Sequence, residues 1–263
     1  MAFAQSARSI PGAVATLGVS DRITFLRKTY AHLGGALLVF AALTGGMLKY
    51  APEFSWKFTT MFGTSMFAML AMMVLMMVGL WVAERWVRSS TSRGVQYAGL
   101  GLGVAIYAFL FQPIFWVLML KFSHYNVEQI ALIRSGHMVP VLNGPAMEIL
   151  TQAIAITLAI FVGLTLVVFI SKKDFSFMRG ILTIASFGAI GMIFAAIIFG
   201  FTLGAFFAGF MILLMAGYIL FQTSAIMKDF PPTAYIAAAM MLFSTVVTLF
   251  WYVLRLIMSL RSD

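Results

Sequence analysis

Apolar residues along this chain neither alternate in strand fashion nor form narrow stripes; they run in long blocks. Seven such blocks occur, at about 31–50, 60–83, 95–120, 147–170, 180–200, 203–226 and 233–258. Each approaches or exceeds the roughly 20 residues an α-helix needs to cross a bilayer. The pattern predicts an all-α integral membrane protein with seven transmembrane helices. A few uncharged residues separate the fifth and sixth blocks, which predicts a tight hairpin. The third contains Gln112-Pro113. Proline removes a backbone donor and clashes with the preceding turn, so a kink is expected there, with Gln112 bonding the freed carbonyl. Gly99, Gly101 and Gly103, and the small residues of Gly188–Gly191, read as points of close helix approach.

The polar positions inside the blocks set the arrangement. Ser244, Thr245, Thr248, Tyr252 and Arg255 of the last block fall within roughly a 100° arc of one helix face. The preceding block carries Gln222 one turn after Tyr218. In hydrocarbon such groups need partners, so the stripe is expected to turn inward. That places the last helix at the centre of the bundle, with its stripe against Gln222 and other helices. An alternative stays open, in which the hydroxyls bond their own backbone at i−4 and only help packing.

Composition and charge sharpen this picture. The 263 residues are 62% hydrophobic and 10% charged, against about 25% charged in soluble domains. There are no cysteines, which removes disulfides and thiolate metal sites. The net charge of +9 does not point to nucleic acid, because the basic residues lie between spans, as topology signals do. Arg8, Arg22, Arg27, Lys28, Arg85, Arg88, Arg93, Lys172, Lys173, Arg179 and Lys228 fall on one side of a seven-span chain; Lys49, Lys57, Lys121, Arg134, Arg255 and Arg261 fall on the other. The richer side is expected in the cytoplasm with the N-terminus, and the C-terminus outside. Residues 1–30 then form a cytoplasmic tail with a short amphipathic segment capped at Ser20-Asp21, and 31–263 the bundle. The loop 122–146 is external and expected to lie on the membrane surface. No convincing transit peptide precedes the first block, which favours a bacterial inner membrane over a mitochondrial one.

The sequence offers little for catalysis. Asp21, Glu53, Glu84, Glu128, Glu148, Asp174, Asp229 and Asp263 all map to span ends, loops or tails, so no carboxylate pair sits at depth. His32 is at a span entrance, and His124 and His137 are in the external loop, which leaves a buried serine without a base. Metalloprotease, phosphate-loop and dinucleotide fingerprints are missing. His124 and Glu128 at i, i+4, with His137 nearby, would share a metal only if that loop were helical, and a solvated loop is the preferred reading. The stripe of Met69, Met72, Met73, Met76 and Met77 is read as adaptable packing rather than a soft-metal site. Asp174, at the start of the fifth span, reads as a helix cap. No enzyme activity, metal or cofactor is expected.

Four motifs then resemble a known family. They are Phe25-Leu26-Arg27-Lys28-Thr29-Tyr30; Gly163-Leu164-Thr165 leading to Ser171-Lys172-Lys173-Asp174-Phe175-Ser176-Phe177; Gly217-Tyr218-Ile219-Leu220-Phe221-Gln222-Thr223-Ser224; and the closing Leu249-Phe250 to Leu254. Together they resemble the Bax inhibitor family of membrane proteins and, within it, the bacterial YccA-like branch. The resemblance implies seven helices with the last one central. It implies two activities: a pH-gated calcium leak sensed by an aspartate on each of the last two spans with an arginine near the end of the second, or modulation of the membrane AAA protease FtsH. By pattern, the aspartates correspond to Gln222 and to Thr245, or Ser244 with a one-residue slip. The arginine corresponds to Arg85, with Arg88 the second choice. Tyr218, Thr248, Tyr252 and Arg255 are the supporting polar groups. Both carboxylates are thus replaced by groups that do not titrate near neutral pH. The expected partners are the lipid bilayer and a membrane protein such as an AAA protease complex, with Ca2+ as the possible ligand in the alternative reading.

Overall fold

The computed structural model describes residues 14–16, 18–61, 65–89, 92–171 and 173–261. Residues 1–13 and 17 of the N-terminal tail, Arg8 among them, lie outside them, as do Lys172 and Asp263. A 3-10 turn at Val14–Thr16 precedes ten helices: α1 (Val19–Tyr50), α2 (Pro52–Met61), α3 (Met66–Val87), α4 (Arg93–Leu110), α5 (Gln112–Phe122), α6 (Val127–Arg134), α7 (Gly144–Ser171), α8 (Met178–Phe199), α9 (Ala205–Lys228) and α10 (Tyr235–Leu260). Seven spans are long and apolar enough to cross a membrane, with α4 and α5 joined into one, Arg93–Phe122. The chain is a multi-pass membrane protein.

α1 runs unbroken from Val19, so residues before the first apolar block continue into the span as one helix. Gly18 takes its N-cap position without a side-chain bond, and Ser20 and Asp21 fall in its first turn. Ahead of it, Val14 is buried and its amide donates to the Phe230 carbonyl at 2.9 Å. That bond pins the Val14–Thr16 turn to the α9–α10 connection.

α10 is the axis of the bundle. Of its most apolar 18 residues, 72% are buried, against 6% in α3 and 11% in α8. It packs on α9, α1, α7, α4 and α3. Its first turns carry Ala237, Ala238 and Ala239, all buried, and small side chains let neighbouring backbones come close. The helices at the periphery present apolar side chains outward, among them Phe67, Leu75, Ile184 and Phe187, as a lipid-facing surface requires.

The glycine row of α4 divides by face. A Cβ on Gly99 would sit 2.8 Å from the Ala83 carbonyl oxygen and 2.8 Å from the Val87 amide nitrogen, so α3 and α4 cross backbone to backbone there. Gly103, four residues on and on the same face, receives the flexible end of Met240. Gly101 points the other way and meets nothing within 4 Å, and neither does Gly188 or Gly191. The close-approach reading therefore holds for two of these glycines and is corrected for the other three.

The span Arg93–Phe122 breaks at Phe111, two residues before Pro113. Gln112 Nε2 donates to the Ala108 carbonyl at 2.9 Å. In an unbroken helix that carbonyl would serve the Gln112 amide. The side chain thus replaces the backbone bond of its own residue. The elbow is filled by rings: Phe111 stacks on Phe250 at 5.7 Å and meets Phe40 and Trp251 edge-on at 4.9 Å each. The loop after α5 is folded. α6 starts with a reciprocal capping box between Asn126 and Gln129, Tyr125 bonds the Val141 backbone, and Arg134 lies 4.8 Å over the Trp56 ring of α2.

Candidate functional site in the polar seam

Gln222 and Thr245 meet between α9 and α10. Thr245 Oγ1 donates to Gln222 Oε1 at 2.9 Å, with both residues buried. The same hydroxyl lies 3.2 Å from the Met241 carbonyl of its own helix. Among the described residues Gln222 Nε2 makes no hydrogen bond. The pair therefore joins the two helices through a single neutral contact. About one turn to either side along the two helices, Ile219, Ile226, Leu242 and Leu249 are buried.

The other hydroxyls of α10 behave differently. Ser244 Oγ donates to the Met241 carbonyl at 2.9 Å, and Thr248 Oγ1 to the Ser244 carbonyl at 2.7 Å. These are bonds to their own helix, which let a hydroxyl sit in hydrocarbon without a tertiary partner. Tyr107 of α4 brings its hydroxyl to face Ser244 and Thr248. The stripe is thus divided: Thr245 reaches α9, while Ser244 and Thr248 bond backward and face α4.

The remaining sequence-derived positions lie apart from the pair. Tyr218 points to α8, where its hydroxyl is 2.9 Å from Ser186 Oγ and 3.3 Å from the Leu182 carbonyl. Tyr252 is buried and packs edge-on against Phe207 at 6.0 Å. Arg255 donates to the Leu203 carbonyl at 2.6 Å, tying α10 to the α8–α9 connection. Arg85 is exposed, with its guanidinium 6.0 Å from the Trp81 ring of its own helix. Arg88 is exposed at the C-cap of α3. Neither arginine makes a hydrogen bond or ion pair to Gln222 or Thr245 among the described residues.

At the Lys228 end of the bundle, Asp174 pairs with Lys228 at 3.0 Å and accepts from the Ser176 amide at 2.9 Å. Chiefly that amide, and then Lys228, hold the Asp174 carboxyl below the usual carboxylate range. The Phe175 amide donates to Ser224 Oγ at 3.2 Å, so the turn between α7 and α8 is stitched to α9 two residues after Gln222.

Three further polar sets were not visible in the sequence. Ser55 of α2 donates to Gln112 Oε1 at 2.6 Å and accepts from Trp116 Nε1 at 2.7 Å. His32 places one ring nitrogen 2.7 Å from the Lys28 carbonyl and the other 2.9 Å from the Tyr97 hydroxyl. Tyr30 lies beside Thr165 and Thr223, three buried hydroxyls that make no hydrogen bond among the described residues. All three members of the last set lie in the motifs quoted above, which was the sequence's signal for it. Among the described residues no three His, Cys, Asp or Glu side chains gather closely enough to hold a metal ion.

Comparison with known proteins follows the same outline. Over 121 residues the chain is 34% identical to Bax inhibitor 1 of Schizosaccharomyces pombe, covering 44% of each protein. It is 32% identical over 120 residues to an uncharacterized membrane protein of Vibrio cholerae, covering 44% of this chain and 51% of that one. The matches span about half the length of these curated relatives. No solved structure matches. The model of the family described as inhibitor of apoptosis-promoting Bax1 matches residues 22–262, nearly the whole chain, and the protein belongs to that family.

Proposed function

We propose that this protein is a non-enzymatic member of the family's YccA-like branch, placed in a bacterial inner membrane with residues 1–30 and the N-terminus in the cytoplasm and the C-terminus outside. It acts through protein partners, foremost a membrane AAA protease of the FtsH type, and modulates how that protease handles membrane proteins. The observation that supports this reading is the Thr245–Gln222 bond. Where calcium-leaking relatives carry a pair of acids, this chain closes the seam with an amide and a hydroxyl. Neither group changes charge between pH 5 and 8, so the seam has no proton switch, and its oxygens are neutral and weak ligands for Ca2+.

Co-purification of the full chain from native membranes tests the proposal. A protease component is expected with the full chain and is expected to be lost when residues 1–30 are deleted. Recovery of no protease component overturns the reading.

The alternative is a calcium or cation leak built on Gln222, Ser244, Thr245 and Arg85. It is favoured by the facing hydroxyls of Tyr107, Ser244 and Thr248 inside the bundle. Calcium flux into liposomes over a pH series separates the two. The protease reading expects no flux; flux that is flat with pH supports the leak without the switch. Gln222→Asp with Thr245→Asp is expected to create pH-dependent flux if the pore is intact and merely disarmed.

A further inference from the structure

A second site lies at the Lys228 end of the bundle, outside the polar seam. The ends of α1, α7 and α9 and the turn after α7 enclose a cavity of about 430 Å³, lined by Arg22, Ile23, Leu26, Val168, Lys173, Ser224, Met227 and Lys228. Its chemistry is divided. Arg22, Lys173 and Lys228 come from three separate segments and converge on one opening. Among the described residues only Lys228 has a carboxylate partner, Asp174 at 3.0 Å. Arg22 and Lys228 are half-buried, and Lys173 is exposed at the rim. The rest of the lining is apolar but for Ser224, whose hydroxyl accepts from the Phe175 amide.

Position decides what fits. The three cations stand at the ends of transmembrane spans, the level where lipid headgroups lie. The aliphatic wall is continuous with the outer surface of the bundle: Ile23 is 59% exposed, and beside Val168 the side chains of Val167 and Ile170 are exposed as well. Topology signals alone require cations near span ends. They do not require them to ring a cavity whose wall is apolar and opens toward lipid.

We propose that this cavity binds one anionic phospholipid, its phosphate held by Arg22, Lys173 and Lys228 and its acyl chains laid along Ile23, Leu26, Val168 and Met227. Basic pockets between membrane helices recognise acidic headgroups in this way. A phosphate needs two or three charged donors, which these residues provide from different directions. The site shares no residue with the Gln222–Thr245 pair, so it stands whether that seam is sealed or conducts.

Native mass spectrometry of the detergent-purified full chain tests the proposal, with phosphatidylglycerol and phosphatidylcholine of identical acyl chains as probes. Wild type is expected to retain one phosphatidylglycerol at least about tenfold more strongly than phosphatidylcholine. The combined variant Arg22→Gln, Lys173→Gln, Lys228→Gln is expected to lose about a hundredfold in phosphatidylglycerol binding with phosphatidylcholine unchanged. Arg22→Lys, Lys173→Arg, Lys228→Arg keeps the charges and is expected to keep the lipid. Ile23→Trp fills the exposed mouth without touching a charge, and a loss of about tenfold is expected even if the triple glutamine variant does not fold. Wild-type retention in the glutamine variant or in Ile23→Trp overturns the proposal. So does competition by glycerol phosphate at the same concentration as the intact lipid, which identifies a free anion as the ligand.

Discussion

Two glutamines lie buried in the spans of this protein, and they are held in opposite ways. Gln112 is closed on both sides: its amide nitrogen bonds Ala108, its oxygen accepts from Ser55, and Ser55 in turn receives Trp116. Gln222 has one partner, Thr245, which divides its proton between the glutamine and its own helix. The first set ties α2, α4 and α5 into one rigid corner at a broken helix. The second is one hydrogen bond set within the packing of α9 against α10. The same side chain therefore serves as a structural clamp in one place and as a separable joint in the other. Gln222, not Gln112, is where an equilibrium between two arrangements has room to exist.

The largest break in this contrast is Gln112→Leu. It strands the Ala108 carbonyl and the Ser55 O–H in one buried spot, while Trp116 keeps its bond to Ser55, and each orphaned group costs about 1–3 kcal/mol. A loss of about 2–4 kcal/mol is expected, read as a lower thermal midpoint in detergent. Gly99→Ala on α4 separates polar from packing effects in the same span. Its new methyl meets α3 backbone that has no rotamer to yield, and about 1–3 kcal/mol is expected by the same measurement. Gly101→Ala, facing open space, is expected to change nothing and serves as its control.

A double-mutant cycle on Gln222→Leu and Thr245→Val measures the joint itself. A coupling of about 0.6 kcal/mol, and below about 1.7, is expected for one hydrogen bond between membrane helices. A coupling as large as the loss at Gln112 would abolish the distinction between the two glutamines. The smallest effect belongs to Asp174→Asn. The carboxyl is partly exposed, and surface pairs contribute about 0–1 kcal/mol. Because its folded pKa is depressed, its stabilising share is present above the ordinary aspartate value and is lost as pH falls through the folded one. The difference between wild type and Asp174→Asn is therefore expected to shrink below about pH 4 in an acid-unfolding series.

Much of the architecture was legible in the chain. Seven spans follow from apolar runs that only a bilayer accommodates, and the centrality of α10 follows from its polar arc, since such groups avoid acyl chains. Details failed where the partner came from a distant segment. Ser55 sits in α2, a short helix between two apolar blocks, and no local pattern announces that it completes a buried network. Tyr218, one turn from Gln222, turns instead to α8, where Ser186 and the Leu182 carbonyl meet its hydroxyl. The three glycines with open space beside them show that residue type marks permission for close approach, while helix phase decides whether a neighbour uses it. The backward bonds of Ser244 and Thr248 and the outward bond of Thr245 were both chemically allowed. Only the position of Gln222 across the interface selects between them.

Arg255 closes one end of the joint. Its grip on the Leu203 carbonyl fastens α10 to the start of α9 at the C-terminal end of α10, and a charged donor surrenders such a contact reluctantly. The six residues 229–234 link the same two helices at the opposite tip, so the rods are moored at both ends. Any parting between them is therefore a bowing between the moorings, with Lys228 and Arg255 as the points that stay put.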